Sequence, residues 1–86
     1  MYSKDIVVSC ESGLYNKQAT YFVQKANDFT SSIWLESENR KMNAKSLLGV
    51  MTLGVITGAQ VTITADGADE KEAVNALEAL LQQDVN

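Results

Sequence analysis

The sequence predicts an α+β fold in the order βαββαβα, with a four-stranded, mostly antiparallel sheet and three helices layered on one face. Two observations predict it. Apolar residues alternate with polar ones in four short segments, which is the period of strands with one buried face. In two other segments apolar residues recur at spacings of three and four, which is the period of a helix face, and a third helix is predicted from a compact apolar run that follows a serine. Short polar connections favour antiparallel pairing.

The first strand and the first helix lie in the N-terminal third. Ile6, Val8 and Cys10 lie two apart, so we expect one strand that buries these three side chains. A loop around Gly13 follows. The apolar face of the first helix comprises Ala19, Phe22, Val23 and Ala26.

A β-hairpin is predicted next. Ile33 and Leu35 alternate around Trp34, and a polar turn at residues 37–39 leads into a second short run at residues 40–43. We expect Trp34 to cover the outer face of the sheet or to form an oligomer contact.

A short second helix is predicted over residues 47–53, because Ser46 is a favoured N-cap residue and glycines follow the run. The run is apolar almost all round, although a surface helix buries only one side. Two interpretations stay open. One is a deeply buried helix, and the other is an exposed patch beside Ser46 that comprises Leu47, Leu48 and Met51. In the second case Val50 and Leu53 face the core.

A fourth strand and a third helix complete the pattern. Val61, Ile63 and Ala65 alternate with threonines, and Asp69 is predicted to cap the last helix. The apolar stripe of that helix comprises Ala73, Val74, Leu77, Leu80 and Leu81. The glutamates that we expect to face solvent are Glu70, Glu72 and Glu78.

Length and composition limit the function. A chain of 86 residues with 45% hydrophobic content can form one small core, so we expect a single domain over residues 1–86. A net charge of -4 argues against direct binding to nucleic acid or anionic lipid. Residues 46–65 carry no charge, but their threonines and glycines argue against a membrane span. The single cysteine and the absence of a leader sequence predict a reducing cytoplasm.

The residue types argue against catalysis. The chain has no histidine, its acidic residues show no paired or metal-ligand spacing, and it has no glycine-rich phosphate loop. We therefore expect no enzyme activity, no cofactor and no metal ion.

Three segments resemble the HPr family, the small phosphocarriers of the bacterial sugar phosphotransferase system. Residues 13–20 read GLYNKQAT and resemble the family's active-site loop and the start of its first helix. Residues 43–54 read NAKSLLGVMTLG and resemble its regulatory-serine segment, and residues 67–77 resemble its final helix. The resemblance covers nearly the whole chain and implies an HPr-like open-faced β-sandwich.

The first segment departs from the family pattern at its chemical centre. Tyr15 stands where the family has its phosphocarrier histidine, Lys17 replaces an arginine and Gln18 replaces a proline. The phenol of a tyrosine has an ordinary pKa of about 10 and is therefore a poor carrier of phosphate at neutral pH. The carrier step should therefore be absent, and a phosphate clamp built on Lys17 should be looser than one built on arginine.

A branch of this family, the catabolite-repression HPr-like proteins, also lacks the histidine and retains the serine. The resemblance implies that Ser46 is phosphorylated by a dedicated serine kinase and dephosphorylated by a phosphatase. It further implies that the phosphorylated protein is the corepressor of a LacI-type catabolite control protein. Without the resemblance, Ser46 would be interpreted as a helix cap only.

The residues expected to bind partners share one surface around Ser46; they are Tyr15, Lys17, Thr20, Lys45, Leu47, Leu48 and Met51. Tyr15 is equally compatible with a solvent-facing loop residue. Arg40 and Lys41 are expected to be ordinary solvated charges.

Other functions and assemblies stay open. The chain could be a phosphorylation-independent binding module that modulates a metabolic enzyme, or a phosphotransfer component with another nucleophile. Because an edge strand exposes unpaired backbone groups, two copies could also exchange a strand and form a homodimer.

Overall fold

The computed structural model describes residues 1–10, 14 and 17–82. The strands are β1 (Tyr2–Val7), β2 (Ser32–Ser37), β3 (Arg40–Asn43) and β4 (Gln60–Asp66). The helices are α1 (Lys17–Asn27), α2 (Leu47–Thr52) and α3 (Glu70–Leu81). The predicted order βαββαβα is confirmed. Within the described ranges, none of these helices has the length and apolar content needed to cross a bilayer.

The four strands form one sheet in the order β1-β4-β2-β3, and all neighbouring strands are antiparallel. Ile6 pairs with Val61, and Leu35 pairs with Ile63 on one side and Met42 on the other. These apolar side chains point to the same face, against which the helices pack. The predicted α+β open-faced sandwich is therefore confirmed, and β1 and β3 are its edge strands.

The two faces of the sheet differ because side chains alternate along each strand. The inner face packs against the helices, and its fully buried core includes Phe22, Ile33, Leu35, Ile63, Leu77 and Leu81. On the outer face, Trp34 is half-buried and the Lys41 ammonium lies 5.0 Å from its ring centroid, a cation–π contact. Trp34 therefore covers the outer face, as one of the two sequence interpretations expected.

The first strand ends earlier than the alternation predicts. Val8 and Cys10 are buried as expected, but β1 stops at Val7. Beyond it the Val8 amide donates to the Ala59 carbonyl, whereas the Cys10 amide donates to Leu81 at the end of α3 (both 2.9 Å). Val8 and Cys10 thus remain buried beyond the end of the strand, although the hydrogen-bond partners of the backbone change there.

The predicted side-chain cap of α3 is wrong. Asp69 occupies the N-cap position, but its side chain makes no hydrogen bond to the helix. Its carboxylate instead accepts the backbone amides of Thr30 (2.9 Å) and Ser31 (3.0 Å) and also their hydroxyls. Gly67 allows this contact, because a Cβ there would lie 2.7 Å from the Ser31 Cα. Asp69 thus ties the α1–β2 loop to the start of α3.

Two glutamates of α3 that were expected in solvent are half-buried in ion pairs. Glu78 contacts the Lys4 ammonium of β1 at 2.9 Å, and Glu70 contacts the N-terminal amino group at 3.1 Å. The pKa of Glu70 is lowered, first by a hydrogen bond from the Gly67 amide and then by that amino group. The two pairs fasten the N-terminus and β1 to α3, which local sequence does not reveal because the partners are distant along the chain.

We call the hydrogen bonds from Thr30 and Ser31 to the Asp69 carboxylate the Asp69 clamp. We expect this clamp to make the stability of the protein vary with pH in the acidic range. Hydrogen bonds from the Ser31 hydroxyl and the Thr30 amide lower the pKa of Asp69 from 3.8 to about 2. Because the folded pKa is the lower one, the stabilisation is present above the unfolded value and is lost as the pH falls towards about 2. The difference in free energy of unfolding between wild type and Asp69→Asn should therefore be constant near neutral pH and shrink between about pH 4 and 2.

Urea unfolding across that pH range measures this difference. Ser31→Ala, which removes one donor, should show a smaller effect with the same pH dependence. A difference that stays constant down to pH 2 would contradict the assignment of the clamp to the ionised carboxylate.

Candidate functional site

A tight turn between β3 and α2 places Ser46. The Asn43 side-chain oxygen accepts the Lys45 amide at 2.8 Å, and the Ser46 amide donates to the Asn43 carbonyl at 3.1 Å. Asparagine side chains favour such turns because they replace a backbone acceptor. The turn brings the chain from the sheet edge directly into the helix that follows.

Ser46 is the N-cap of α2, as predicted. Its backbone is extended (φ -105°, ψ 115°), and its Oγ accepts the Gly49 amide at 3.1 Å. The Ser46 carbonyl accepts the Val50 amide at 3.0 Å, the first bond of the helix. Ser46 as a whole is half-exposed. A phosphate on this oxygen would face amide donors at the start of the helix, where negative charge is favoured.

Helix α2 buries one side and exposes the other. Val50 and Leu53 are buried, with exposed fractions of 0% and 3%. On the other side Leu48 is 79% exposed and Leu47 is 40% exposed, whereas Met51 is half-buried against the core. The interpretation of a deeply buried helix is therefore wrong, and the predicted exposed patch is confirmed for Leu47 and Leu48 but wrong for Met51, whose side chain packs against the core. An apolar ridge of Leu47 and Leu48, with Met51 at its base, flanks the Ser46 hydroxyl; we call it the α2 ridge.

The loop after α2 adds an apolar side chain that the sequence analysis missed. Ile56 is 69% exposed, while its neighbour Val55 is buried and its carbonyl accepts the Leu14 amide at 2.9 Å. This bond places the 53–56 loop beside the segment that precedes α1. The short stretch between Gly54 and Gly58 carries no periodic signal, so only the structure shows that Val55 is buried and Ile56 is exposed.

Lys45 is held in place by the α1–β2 loop. Its ammonium donates to the Phe29 carbonyl at 2.7 Å, and its own carbonyl accepts the Asn27 side-chain amide at 3.4 Å. The side chain is half-buried. Lys45 therefore joins the Ser46 turn to the end of α1, and its expected role in partner binding stays a prediction.

The start of α1 presents the other predicted partner-binding residues. Lys17 and Thr20 are exposed on the first turn, whereas Tyr15 lies outside the described residues. The sequence analysis treated Gln18 only as the replacement of a family proline. In the structure Gln18 is 3% exposed, and its side-chain amide donates to the Leu80 carbonyl at 2.7 Å. This bond attaches the start of α1 to the end of α3. Periodicity could have indicated that burial, since Gln18 lies four residues before Phe22.

Arg40 is exposed, as expected for a solvated charge, but its guanidinium also binds the protein backbone, which was not expected. Nη2 donates to the Leu53 carbonyl at 2.8 Å and Nη1 to the Thr52 carbonyl at 3.4 Å. The first residue of β3 therefore contacts the end of α2. Among the described residues, no cluster of three or more acidic, cysteine or histidine side chains could hold a metal ion.

The fold and the serine-capped helix define a class of small proteins in which three helices cover one face of a four-stranded antiparallel sheet. A family model described as the PTS HPr component phosphorylation site matches residues 2–83, and the chain belongs to this family. It is similar to the HPr-like protein Crh of Bacillus subtilis (strain 168), with 45% identity over 85 residues that cover 99% of this chain and 100% of the relative.

Solved structures give the same assignment. A phosphocarrier protein HPr from Bacillus anthracis superposes with a TM-score of 0.93 and 42% identity, covering 94% of this chain and 96% of that one. A crystal structure of Crh from Bacillus subtilis, described as a swapping domain and an intertwined dimer, has a TM-score of 0.75 and 45% identity and covers 95% and 94% of the two chains.

Substitutions on the two sides of α2 should differ in their effect on stability. Leu48→Ser removes a side chain that already lies in water, so the free energy of unfolding should change by less than about 0.5 kcal/mol. Val50→Ser leaves a cavity and buries a hydroxyl, so it should destabilise by about 2–4 kcal/mol. Urea unfolding of both variants measures this contrast. Equal losses would mean that Leu48 is part of the core.

Proposed function

We propose that this protein is a non-catalytic, HPr-like regulatory protein of carbon metabolism. A serine kinase and a phosphatase act on Ser46, and the phosphorylated form is the corepressor of a LacI-type catabolite control transcription factor. The observation that carries the proposal is the half-exposed residue Ser46 beside the exposed Leu47 and Leu48 side chains. The protein acts in the cytoplasm, where its single cysteine stays reduced.

A charge switch beside an apolar ridge supports this function. A phosphoserine adds about 1.5 to 2 negative charges and three acceptor oxygens, which suit an arginine or lysine on a partner. The α2 ridge supplies the apolar contact that anchors such a complex. Because Ser46 is already the N-cap of α2, a phosphate on its hydroxyl does not require the backbone conformation to change. The partner therefore distinguishes the phosphorylated from the unphosphorylated protein by surface charge.

The absence of histidine argues against a phosphocarrier role. The imidazole that transfers phosphate in the family has no counterpart anywhere in this chain. Tyr15 occupies its place, and a phenol does not exchange a phosphoryl group readily at neutral pH. We infer that the chain has no catalytic or carrier step and that it acts only through binding.

Phosphorylation and binding can be tested together. Incubation with the cognate serine kinase and ATP should add one phosphate in intact-mass analysis, and Ser46→Ala should add none. Thr52→Ala is the matched control on the same helix and should be phosphorylated normally. The phosphorylated wild type should bind the LacI-type regulator at least about tenfold more tightly than the unphosphorylated form in calorimetry. Equal affinity of the two forms would contradict the corepressor function.

An alternative function is a phosphorylation-independent module that modulates a metabolic enzyme. The ridge favours it in one respect, because Leu48 is exposed without any modification. In that case Ser46→Ala should retain binding to the enzyme in a pull-down, whereas Leu48→Asp should lose it. Under the corepressor proposal both variants lose binding to the regulator.

We also propose that two copies form a homodimer by exchange of β1. This strand lies at the sheet edge and pairs only with β4, so a second copy can supply it without rearranging the other strands. The swapped dimer of the Bacillus subtilis relative supports the proposal. That relative superposes less well than the Bacillus anthracis protein (TM-score 0.75 against 0.93), although its sequence identity is slightly higher (45% against 42%). An exchanged strand in the relative is consistent with this difference, because β1 of the present structure pairs with β4 of the same chain.

A disulfide between register partners can report the exchange. Ser3 pairs with Thr64, and their side-chain oxygens lie 2.9 Å apart, so the double variant Ser3→Cys, Thr64→Cys should oxidise readily. In a monomer the bond is intramolecular. In the exchanged dimer it joins two chains, so non-reducing electrophoresis of the dimer fraction should show a covalent dimer. Ser3→Cys alone is the control. Only intramolecular disulfides in that fraction would contradict β1 exchange.

A further inference from the structure

The C-terminal end of α2 lacks a charged group of its own. Its last turn contains no basic residue. Backbone amides satisfy two of the terminal carbonyls, since Leu53 donates to Gly49 at 3.3 Å and Gly54 donates to Met51 at 3.1 Å. The carbonyls of Thr52 and Leu53 are not among these two, and helix-terminal carbonyls need donors from outside the helix.

Both of these carbonyls are satisfied by Arg40. The guanidinium reaches the end of α2 from β3, with the shorter bond to Leu53 (2.8 Å) and the longer one to Thr52 (3.4 Å). A cation at this place is favoured by the negative end of the helix dipole. The planar guanidinium of arginine can donate hydrogen bonds to two acceptors at once, and the single ammonium of a lysine does this less well.

Strand β3 supports α2 at two other points. Met42, two residues after Arg40 and therefore on the same face of the strand, lies beneath Gly49, where an added Cβ would be 3.4 Å from its own Cβ. At the other end, the Ser46 amide donates to Asn43. The helix is thus fixed to β3 at its start, its middle and its end, and at its end the contact comes from the charged side chain of Arg40.

We propose that Arg40 is a positioning residue, which sets the orientation of the α2 ridge without contacting the partner. The inference rests on the proposed function, because it assumes that the ridge binds the regulator. A six-residue helix has too few hydrogen bonds of its own to remain ordered in isolation. Loss of the Arg40 contact should therefore loosen its last turn, which contains Met51 and directly follows the exposed Leu48.

The test compares Arg40→Met with Arg40→Lys and with Lys41→Met, a matched control that removes the adjacent charge on the opposite face of the sheet. Amide hydrogen exchange on the unphosphorylated proteins is the first measurement. Exchange at Leu53 and Gly54 should become about three- to tenfold faster in Arg40→Met, should partly recover in Arg40→Lys, and should not change in Lys41→Met.

Binding of the phosphorylated variants to the regulator is the second measurement. The affinity of phosphorylated Arg40→Met for the regulator should fall about three- to tenfold, the factor expected for amide exchange. Kinase treatment should still phosphorylate Ser46 fully in this variant. Unchanged exchange would overturn the proposal. Lower affinity with unchanged exchange would show instead that Arg40 contacts the partner directly. If phosphorylated wild type does not bind the regulator, the proposed function fails, whereas the exchange measurement still decides whether Arg40 orders α2.

Discussion

The structure depends on a single constraint: one apolar sheet face must be covered by helices, one of which is too short to bury its own apolar surface. Helix α2 has six residues and is apolar on nearly every side. Because Val50 must complete the core, Leu47 and Leu48 necessarily remain in water. An exposed ridge is therefore a consequence of how the core is closed, and Ser46 caps the helix on which that ridge lies.

Long-range polar contacts hold the helices in place around this constraint. Asp69 ties the α1–β2 loop to α3, Gln18 ties the start of α1 to the end of α3, and Arg40 ties α2 to β3. Each contact joins segments that the apolar core alone would position less accurately, because hydrophobic burial is not directional. The surface around Ser46 is thus supported by fixed neighbours, so an added charge can change what binds there while the scaffold remains the same.

Sequence periodicity predicted the elements and much of the site. The alternation in β4, the stripe of α3 and the serine before a short apolar run are local signals, and the structure confirms the element that each of them predicts. The division of α2 into a buried Val50 side and an exposed Leu48 side also follows from its composition, although sequence alone left two interpretations open.

The errors share a physical cause. Asp69 has the residue type and position of a helix cap, but Thr30 and Ser31 offer four donors from a loop 38 residues or more away in sequence. The guanidinium of Arg40 and the carboxylate of Glu78 likewise bind groups that are distant along the chain. A polar side chain binds groups that the fold brings close to it, even when they are distant in sequence. Periodicity indicates only which face of a helix or strand is apolar.

The central claim is that phosphate on Ser46 changes the surface of α2 and leaves the fold intact. Amide NMR spectra of the unphosphorylated and fully phosphorylated protein test it most directly. The account predicts chemical-shift changes concentrated between Lys45 and Val50, where the first-turn amides meet the added charge, with the resonances of β4 and α3 nearly unchanged. Widespread shifts across β4 and α3, or loss of spectral dispersion, would contradict it.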